Sequence, residues 1–122
     1  MSPRDKEPTY SDTEIAEQLA DLPGWYYEDG WVRRYYKTDG WRTTLMLVNT
    51  IGYLAEAANH HPDLSVTWAR VGVKLNTHSA GGITGKDIAL ARKIEETVLW
   101  RPTPGGPLEG TPSKWVQSGE RR

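Results

Sequence analysis

All three histidines of the chain fall within the nineteen residues from His60 to His78. Imidazole, with an ordinary pKa of roughly 6.5, gives and takes protons near neutrality. Three such rings close together in sequence suit general acid–base chemistry, in which one group donates a proton and another accepts one. Glu56 lies four residues before His60, so on a continuing helix the carboxylate and the imidazole share a face. A carboxylate there orients the ring or holds it protonated, as does the negative end of the helix dipole. The same spacing is also that of an ordinary surface pair, and His60-His61-Pro62 is an ordinary way to leave a helix. A zinc site is the other use of such a set, with Glu56, His60 and His78 as donors. Against it, neither a second histidine at helical spacing nor an H-E-x-x-H pattern is present. Nucleophilic catalysis has less to draw on, since there is no cysteine and no G-x-S-x-G turn.

The elements that must position these groups are readable from periodicity and punctuation. Ser11-Asp12-Thr13-Glu14 reads as a capping box, followed by Ile15, Leu19 and Leu22 at helical spacing until Pro23-Gly24. Trp25-Tyr26-Tyr27 and Trp31 to Lys37 read as a β-hairpin turning at Glu28-Asp29-Gly30. A long helix is predicted from Trp41 to Ala58, with Leu45, Val48, Ile51, Leu54 or Ala55, and Ala58 on its apolar face. Proline ends it at Asn59-His60-His61-Pro62. Leu64 to Trp68, and Val71, Val73 and Leu75 alternating with Gly72, Lys74 and Asn76, predict a second hairpin. Thr84-Gly85-Lys86-Asp87 opens a last helix whose buried face is Ile88, Ala91, Ile94 and Val98. Asp87 thus has a capping role, which is compatible with one in catalysis.

Strands grouped in hairpins between helices imply an α+β domain with an antiparallel sheet and helices on one face. The domain is expected to span residues 1–98, with 1–10 flexible. From Leu99 to Arg122 the chain holds four of its eight prolines and four of its twelve glycines, so this tail is predicted to be irregular, wrapping the domain or free in solution.

Composition narrows the function classes. Fifteen Lys and Arg against sixteen Asp and Glu leave no overall positive charge to hold a phosphate backbone, so no direct nucleic-acid partner is expected. Absence of cysteine suits a reducing compartment. Met1 to Glu7 carries charges of both signs with no apolar stretch behind it, unlike a signal peptide. No segment approaches the roughly 20 apolar residues of a membrane span. The expected location is cytoplasmic. Six Trp and six Tyr with no Phe mean that every aromatic ring carries a polar handle that wants a partner.

Glu56, His60-His61-Pro62, Trp68, His78 and Asp87, at their spacing in this chain, resemble the signature of the pterin-4a-carbinolamine dehydratases. Leu22-Pro23-Gly24-Trp25, Leu75-Asn76-Thr77-His78 and Asp87-Ile88-Ala89-Leu90-Ala91 are similar to further stretches of that family, so the resemblance spans about Ser11 to Val98. It implies a four-stranded antiparallel sheet with three helices on one face, in the order α-β-β-α-β-β-α, assembled into homodimers or homotetramers. It implies dehydration of 4a-hydroxytetrahydropterin to quinonoid dihydropterin, in the recycling that follows aromatic amino acid hydroxylation, with no cofactor and no metal.

On that resemblance His61 is the principal base, and His60 and His78 are acids or substrate-orienting groups. Glu56 tunes His60, and Asp87 orients an imidazole or holds the pterin. Trp25, Trp68, Pro62 and Thr77 are the expected substrate contacts, although Trp68 also suits core packing. The chain departs from the family in Tyr35, Tyr36 and Trp41, where phenylalanines are common, and in its tail. Dehydratase-like proteins also serve as binding proteins, one stabilising transcription-factor dimers and others assisting assembly of RuBisCO in carbon-fixing bacteria. An assembly factor of that kind is the alternative function, with Trp100, Leu108, Trp115 and Val116 as apolar anchors for a partner.

Overall fold

The computed structural model describes residues 7–121. Met1 to Lys6, which include most of the segment read against a signal peptide, lie outside the described residues. The first helix, α1 (Asp12–Leu19), begins at the expected capping box. Ser11 Oγ accepts from the Glu14 N–H, and Glu14 returns the bond to the Ser11 N–H. Strands β1 (Tyr26–Glu28) and β2 (Trp31–Lys37) follow. Asp29 and Gly30 both take positive φ, 51° and 84°, as a two-residue primed hairpin turn requires. Helix α2 (Trp41–Ala58) leads into β3 (Asp63–Thr67) and β4 (Arg70–Leu75), and α3 (Gly85–Val98) closes the domain.

The sheet is antiparallel in the order β1-β2-β4-β3. Alternation along β2 and β4 turns Val32, Tyr36, Val71, Val73 and Leu75 toward the helices, where they meet Ile51 of α2 and Ile88, Ala91 and Ile94 of α3 in one buried core. The α2 face differs from the predicted stripe. Thr44, Leu47, Ile51 and Ala55 are buried, while Leu45 is 41% exposed. Thr44 is accommodated because its hydroxyl meets Thr38 Oγ1 at 2.7 Å and donates to the Trp68 carbonyl at 2.9 Å.

The tail wraps the domain and supplies a fifth strand. β5 (Gln117–Ser118) pairs with Tyr36 and Lys37, on the β2 edge that β1 leaves open. Its anchor is a buried guanidinium. Arg34 is 2% exposed on the inner face of β2 and makes a two-point contact with the Glu95 carboxylate, both bonds 3.0 Å. Arg34 also donates to Ser118 Oγ at 2.8 Å. Tyr36 Oη and Trp25 Nε1 donate to Glu95 as well, so two of the aromatic polar handles find partners here. Burial works against the Glu95 charge, but the bonds from Arg34, Tyr36 and Trp25 outweigh it and hold the carboxyl below its ordinary value. The Tyr36 phenol is pushed up by burial and by the Glu95 carboxylate. At the other terminus, Tyr10 donates its N–H to the Ile83 carbonyl and Glu7 pairs with Lys86. No helix among the described residues is long and apolar enough to cross a membrane.

Candidate active site

Helix α2 ends at Ala58, the predicted last residue, and a left-handed residue rather than the proline makes the turn. Asn59 takes the left-handed conformation (φ 51°, ψ 42°), and the His60 N–H bonds back to the Ala55 carbonyl at 3.1 Å. This is the helix-ending turn in which one left-handed residue satisfies the last carbonyls, and asparagine tolerates that conformation well. The reversal splits the two histidines. His60 turns inward against α3, its side chain 12% exposed, while His61 stays at the surface, 55% exposed.

Each ring then meets its own carboxylate. His60 Nε2 lies 2.6 Å from Asp87 Oδ1, and His61 Nε2 lies 2.6 Å from Glu56 Oε1. The expectation that Glu56 tunes His60 is therefore corrected: its partner is His61. The sharp turn at Asn59 swings His60 away from the α2 face that carries Glu56 and lets the next ring fold back onto it. The donor set Glu56, His60 and His78 does not converge either, and no group of three or more His, Asp or Glu among the described residues is arranged to hold a metal ion.

Asp87 has two jobs. It is fully buried at the N-terminus of α3, where Oδ2 accepts from the Thr84 N–H at 2.9 Å to complete the capping box, and from Thr77 Oγ1 at 2.8 Å. Oδ1 is left for His60. Thr77 and Thr84 also bond to each other through their hydroxyls at 2.7 Å. A carboxylate held by two donors fixes the imidazole it faces, and because it only accepts, the neutral His60 ring presents Nε2–H to it. The Glu56 carboxylate selects the same tautomer for His61, leaving Nδ1 of each neutral ring as its basic nitrogen.

His78 comes from a third place, the start of a short 3₁₀ turn (His78–Ala80) after β4, closed by Gly81 in a left-handed conformation. His60, His61 and His78 line one cleft of about 580 Å³ with Thr77, Asp63, Asn76, Lys86 and Trp31. That volume is in the range of small-molecule sites.

The aromatic wall is not the expected one. Trp25 is 5% exposed in the core and bonded to Glu95, and Trp68 lies after β3 at the far end of that strand from Asp63, its ring against Gly40. Neither lines the histidine cleft, nor does Pro62. Trp31 does, at the start of β2, with Lys74 Nζ 4.5 Å from its ring. Sequence reasoning missed Trp31. The signal available was the two-residue hairpin turn, which puts the first residue of β2 at the end of the sheet where β4 runs out toward His78.

Two carboxylate-held imidazoles and a third lining the same cleft of a small α+β domain are an arrangement chemically suited to proton transfer. Comparison with known proteins shows the family. The family model described as pterin 4 alpha carbinolamine dehydratase matches residues 8–97. A candidate pterin-4-alpha-carbinolamine dehydratase of Aquifex aeolicus is 47% identical over 72% of this chain and 89% of its own length. One from Roseiflexus castenholzii is 41% identical over 72% of this chain and 95% of its own. The crystal structure of a transcriptional coactivator/pterin dehydratase from Brucella melitensis superposes with a TM-score of 0.69 at 32% identity, covering 72% of this chain and 96% of that one. The chain belongs to the pterin 4 alpha carbinolamine dehydratase family. The family match ends at residue 97, so the strap that carries β5 lies beyond it.

Proposed function

We propose that the protein dehydrates 4a-hydroxytetrahydropterin to quinonoid dihydropterin by histidine acid–base catalysis. The observation that carries this reading is the pair of imidazoles, each 2.6 Å from its own carboxylate, lining one cleft with a third. His61 acts as base through Nδ1 and removes the ring-nitrogen proton. His78, or His60 in its imidazolium form with Nε2–H held by Asp87 and Nδ1–H free to give, protonates the leaving hydroxyl while the other orients it, so the C4a–O bond breaks, water leaves and the C=N bond forms. Glu56 and Asp87 hold the tautomers of His61 and His60. Thr77, whose hydroxyl is used on Asp87, acts as a positioning residue. Trp31 takes the place expected of Trp25 and Trp68 beside the pterin ring, since a flat aromatic face is what a bicyclic heterocycle packs against.

The test is dehydration of 4a-hydroxytetrahydropterin generated in situ, with wild type and His61→Ala compared with the spontaneous rate. Acceleration by wild type that His61→Ala loses supports the reading. A folded wild type that does not accelerate the reaction overturns it. That outcome would favour the alternative, a dehydratase-like assembly factor, for which Trp100 (59% exposed) and Leu108 (62%) are the remaining tail anchors. Trp115 and Val116 are half-buried, Trp115 under Arg101 and Val116 packed on the core, and have less surface to offer a partner.

A further inference from the structure

The helices cover one face of the sheet, and the other face carries a pattern that works against the fold. In the β2–β4 register Arg33 lies directly opposite Lys74, and Lys37 directly opposite Arg70. All four side chains leave the helix-free face, since their neighbours Val32, Arg34, Tyr36, Val71, Val73 and Leu75 are the buried ones. Like charges directly opposite on adjacent strands are destabilising. No carboxylate among the described residues comes within ion-pair distance of any of the four. A protein of net charge −1 has enough carboxylates to neutralise such a face, yet Asp63, opposite Lys74, and Glu28, opposite Trp31, share the face without pairing with any of the four cations. Aromatic faces and carbonyls offset part of this, since Lys74 lies over Trp31, Arg70 lies over Tyr35 and Arg33 donates to the Glu28 carbonyl, but no opposite charge neutralises the pairs, and a local rule broken in this way is found at functional surfaces.

Between the two cationic pairs sits a dent. Tyr35 lies opposite Gly72, and Gly72 opposite Ser65. A Cβ on Gly72 would come within 2.5 Å of Ser65 Oγ and 2.7 Å of the Tyr35 ring, so glycine lets those two side chains close over the strand and wall the hollow. The hollow is about 310 Å³, bounded by Arg33, Lys74, Tyr35, Ser65 and Asp63. From Arg33 to Lys37 the cationic pairs are four residues apart, roughly 13 Å along an extended chain.

We propose that this face docks an extended acidic polypeptide segment. Carboxylates four residues apart would meet the Arg33–Lys74 and Lys37–Arg70 pairs, with a small side chain over the Gly72 hollow. Both four-residue spacings then match, because ligand and β2 are extended alike. Single-stranded nucleic acid fits less well, since its bases need open aromatic faces. Each ring here already carries a cation over one face: Arg70 lies 4.0 Å from the Tyr35 ring, Lys74 4.5 Å from Trp31 and Arg121 3.9 Å from Tyr26. A second copy facing this surface with its own would set cations against cations.

The test uses the full chain and three fluorescein-labelled probes. They are a short peptide with Glu at every fourth position, the same peptide with Gln, and a thymidine oligonucleotide of equal charge. Anisotropy is read at low and at physiological salt. The Glu peptide should bind, weaken with salt, and lose about tenfold or more in affinity to the double variant Arg33→Gln/Lys74→Gln. That variant removes a repulsion together with the Lys74–Trp31 contact and the Arg33 bond to the Glu28 carbonyl, so it should melt near wild type. Lys37→Gln alone should weaken binding too, which provides a second reading if the double variant is unstable. Equal binding of the Gln peptide, no binding of the Glu peptide, or tighter binding of the oligonucleotide overturns the proposal. A change in solution mass of the double variant by light scattering also overturns it, by assigning the face to a contact between copies. None of these outcomes depends on the dehydratase assay.

Discussion

Asp87→Asn separates the capping role of this residue from its role in holding His60. The carboxylate accepts three bonds in a fully buried site, from Thr77 Oγ1, the Thr84 N–H and His60 Nε2. Asparagine has the same shape but one acceptor oxygen and one amide donor. If its oxygen stays on Thr77 and Thr84, capping survives with neutral instead of charge-assisted bonds. Bonds to a charged group contribute roughly 1.5–3 kcal/mol and neutral ones roughly 0.5–1.5, so two such exchanges cost about 2 kcal/mol. With a urea dependence of about 2 kcal/mol per molar for a chain of this size, the unfolding midpoint should fall by about 1 M. The amide then points its N–H at His60 Nε2, which must give up its proton and move it to Nδ1. The ring would present the wrong tautomer to the cleft. A positioned acid or base contributes about 10²- to 10⁴-fold, so the dehydration rate should drop by about 100-fold, or about 2.7 kcal/mol of barrier. Urea titration by circular dichroism and the in situ dehydration assay read the two effects separately. A variant with a lowered midpoint and an unchanged rate would refute the positioning of His60 by Asp87, leaving Asp87 a cap and nothing more.

Glu56→Gln should leave the urea midpoint within error of wild type, since the Glu56 side chain is 79% exposed and surface pairs add little. It should nonetheless slow dehydration by about tenfold by loosening His61, the size of effect seen when an orienting partner is lost. Glu95 predicts an acid transition. Its carboxyl is held below the ordinary value near 4.5, so its stabilising contribution is complete above that pH and is lost as pH falls through the lowered folded-state value. Thermal melts of wild type and Glu95→Gln across pH 2 to 6 should therefore converge toward the acid end, roughly below the ordinary carboxylate range. Ending the chain at Trp100 removes Ser118 from Arg34 and Val116 from the core, and should cost about 2–4 kcal/mol in urea titration. It also bares the β2 edge at Tyr36 and Lys37, so self-association should rise with concentration in light scattering.

Local rules were enough for most of the architecture. The capping boxes at Ser11 and Thr84, the Asp29-Gly30 turn and the bounds of α2 are properties of a few adjacent residues, and each is legible in the sequence and present in the fold. Amphipathic stripes are less sharply coded. The expected α2 face included Leu45, but packing selected Thr44 and Leu47, because Thr44 found partners in Thr38 and the Trp68 carbonyl that no helical periodicity describes. The tail was legible as a change in composition. Its docking was not, because β5 depends on a guanidinium 84 residues away in the chain.

The site divides in the same way. Residue types and their spacing marked out the histidines, Glu56 and Asp87, because proton chemistry at neutral pH needs side chains of those kinds. Which carboxylate serves which ring was settled only in three dimensions. Asn59 in a left-handed turn sends His60 to Asp87, 27 residues on, and returns His61 to Glu56. Aromatic side chains announce a ring-binding role by type alone, but only the sheet register puts Trp31 in the cleft and takes Trp25 and Trp68 out of it. Sequence determines the groups available and the local turns that aim them. Tertiary packing decides the partners, because a hydrogen bond depends on tenths of an ångström between atoms that chain spacing alone does not bring together.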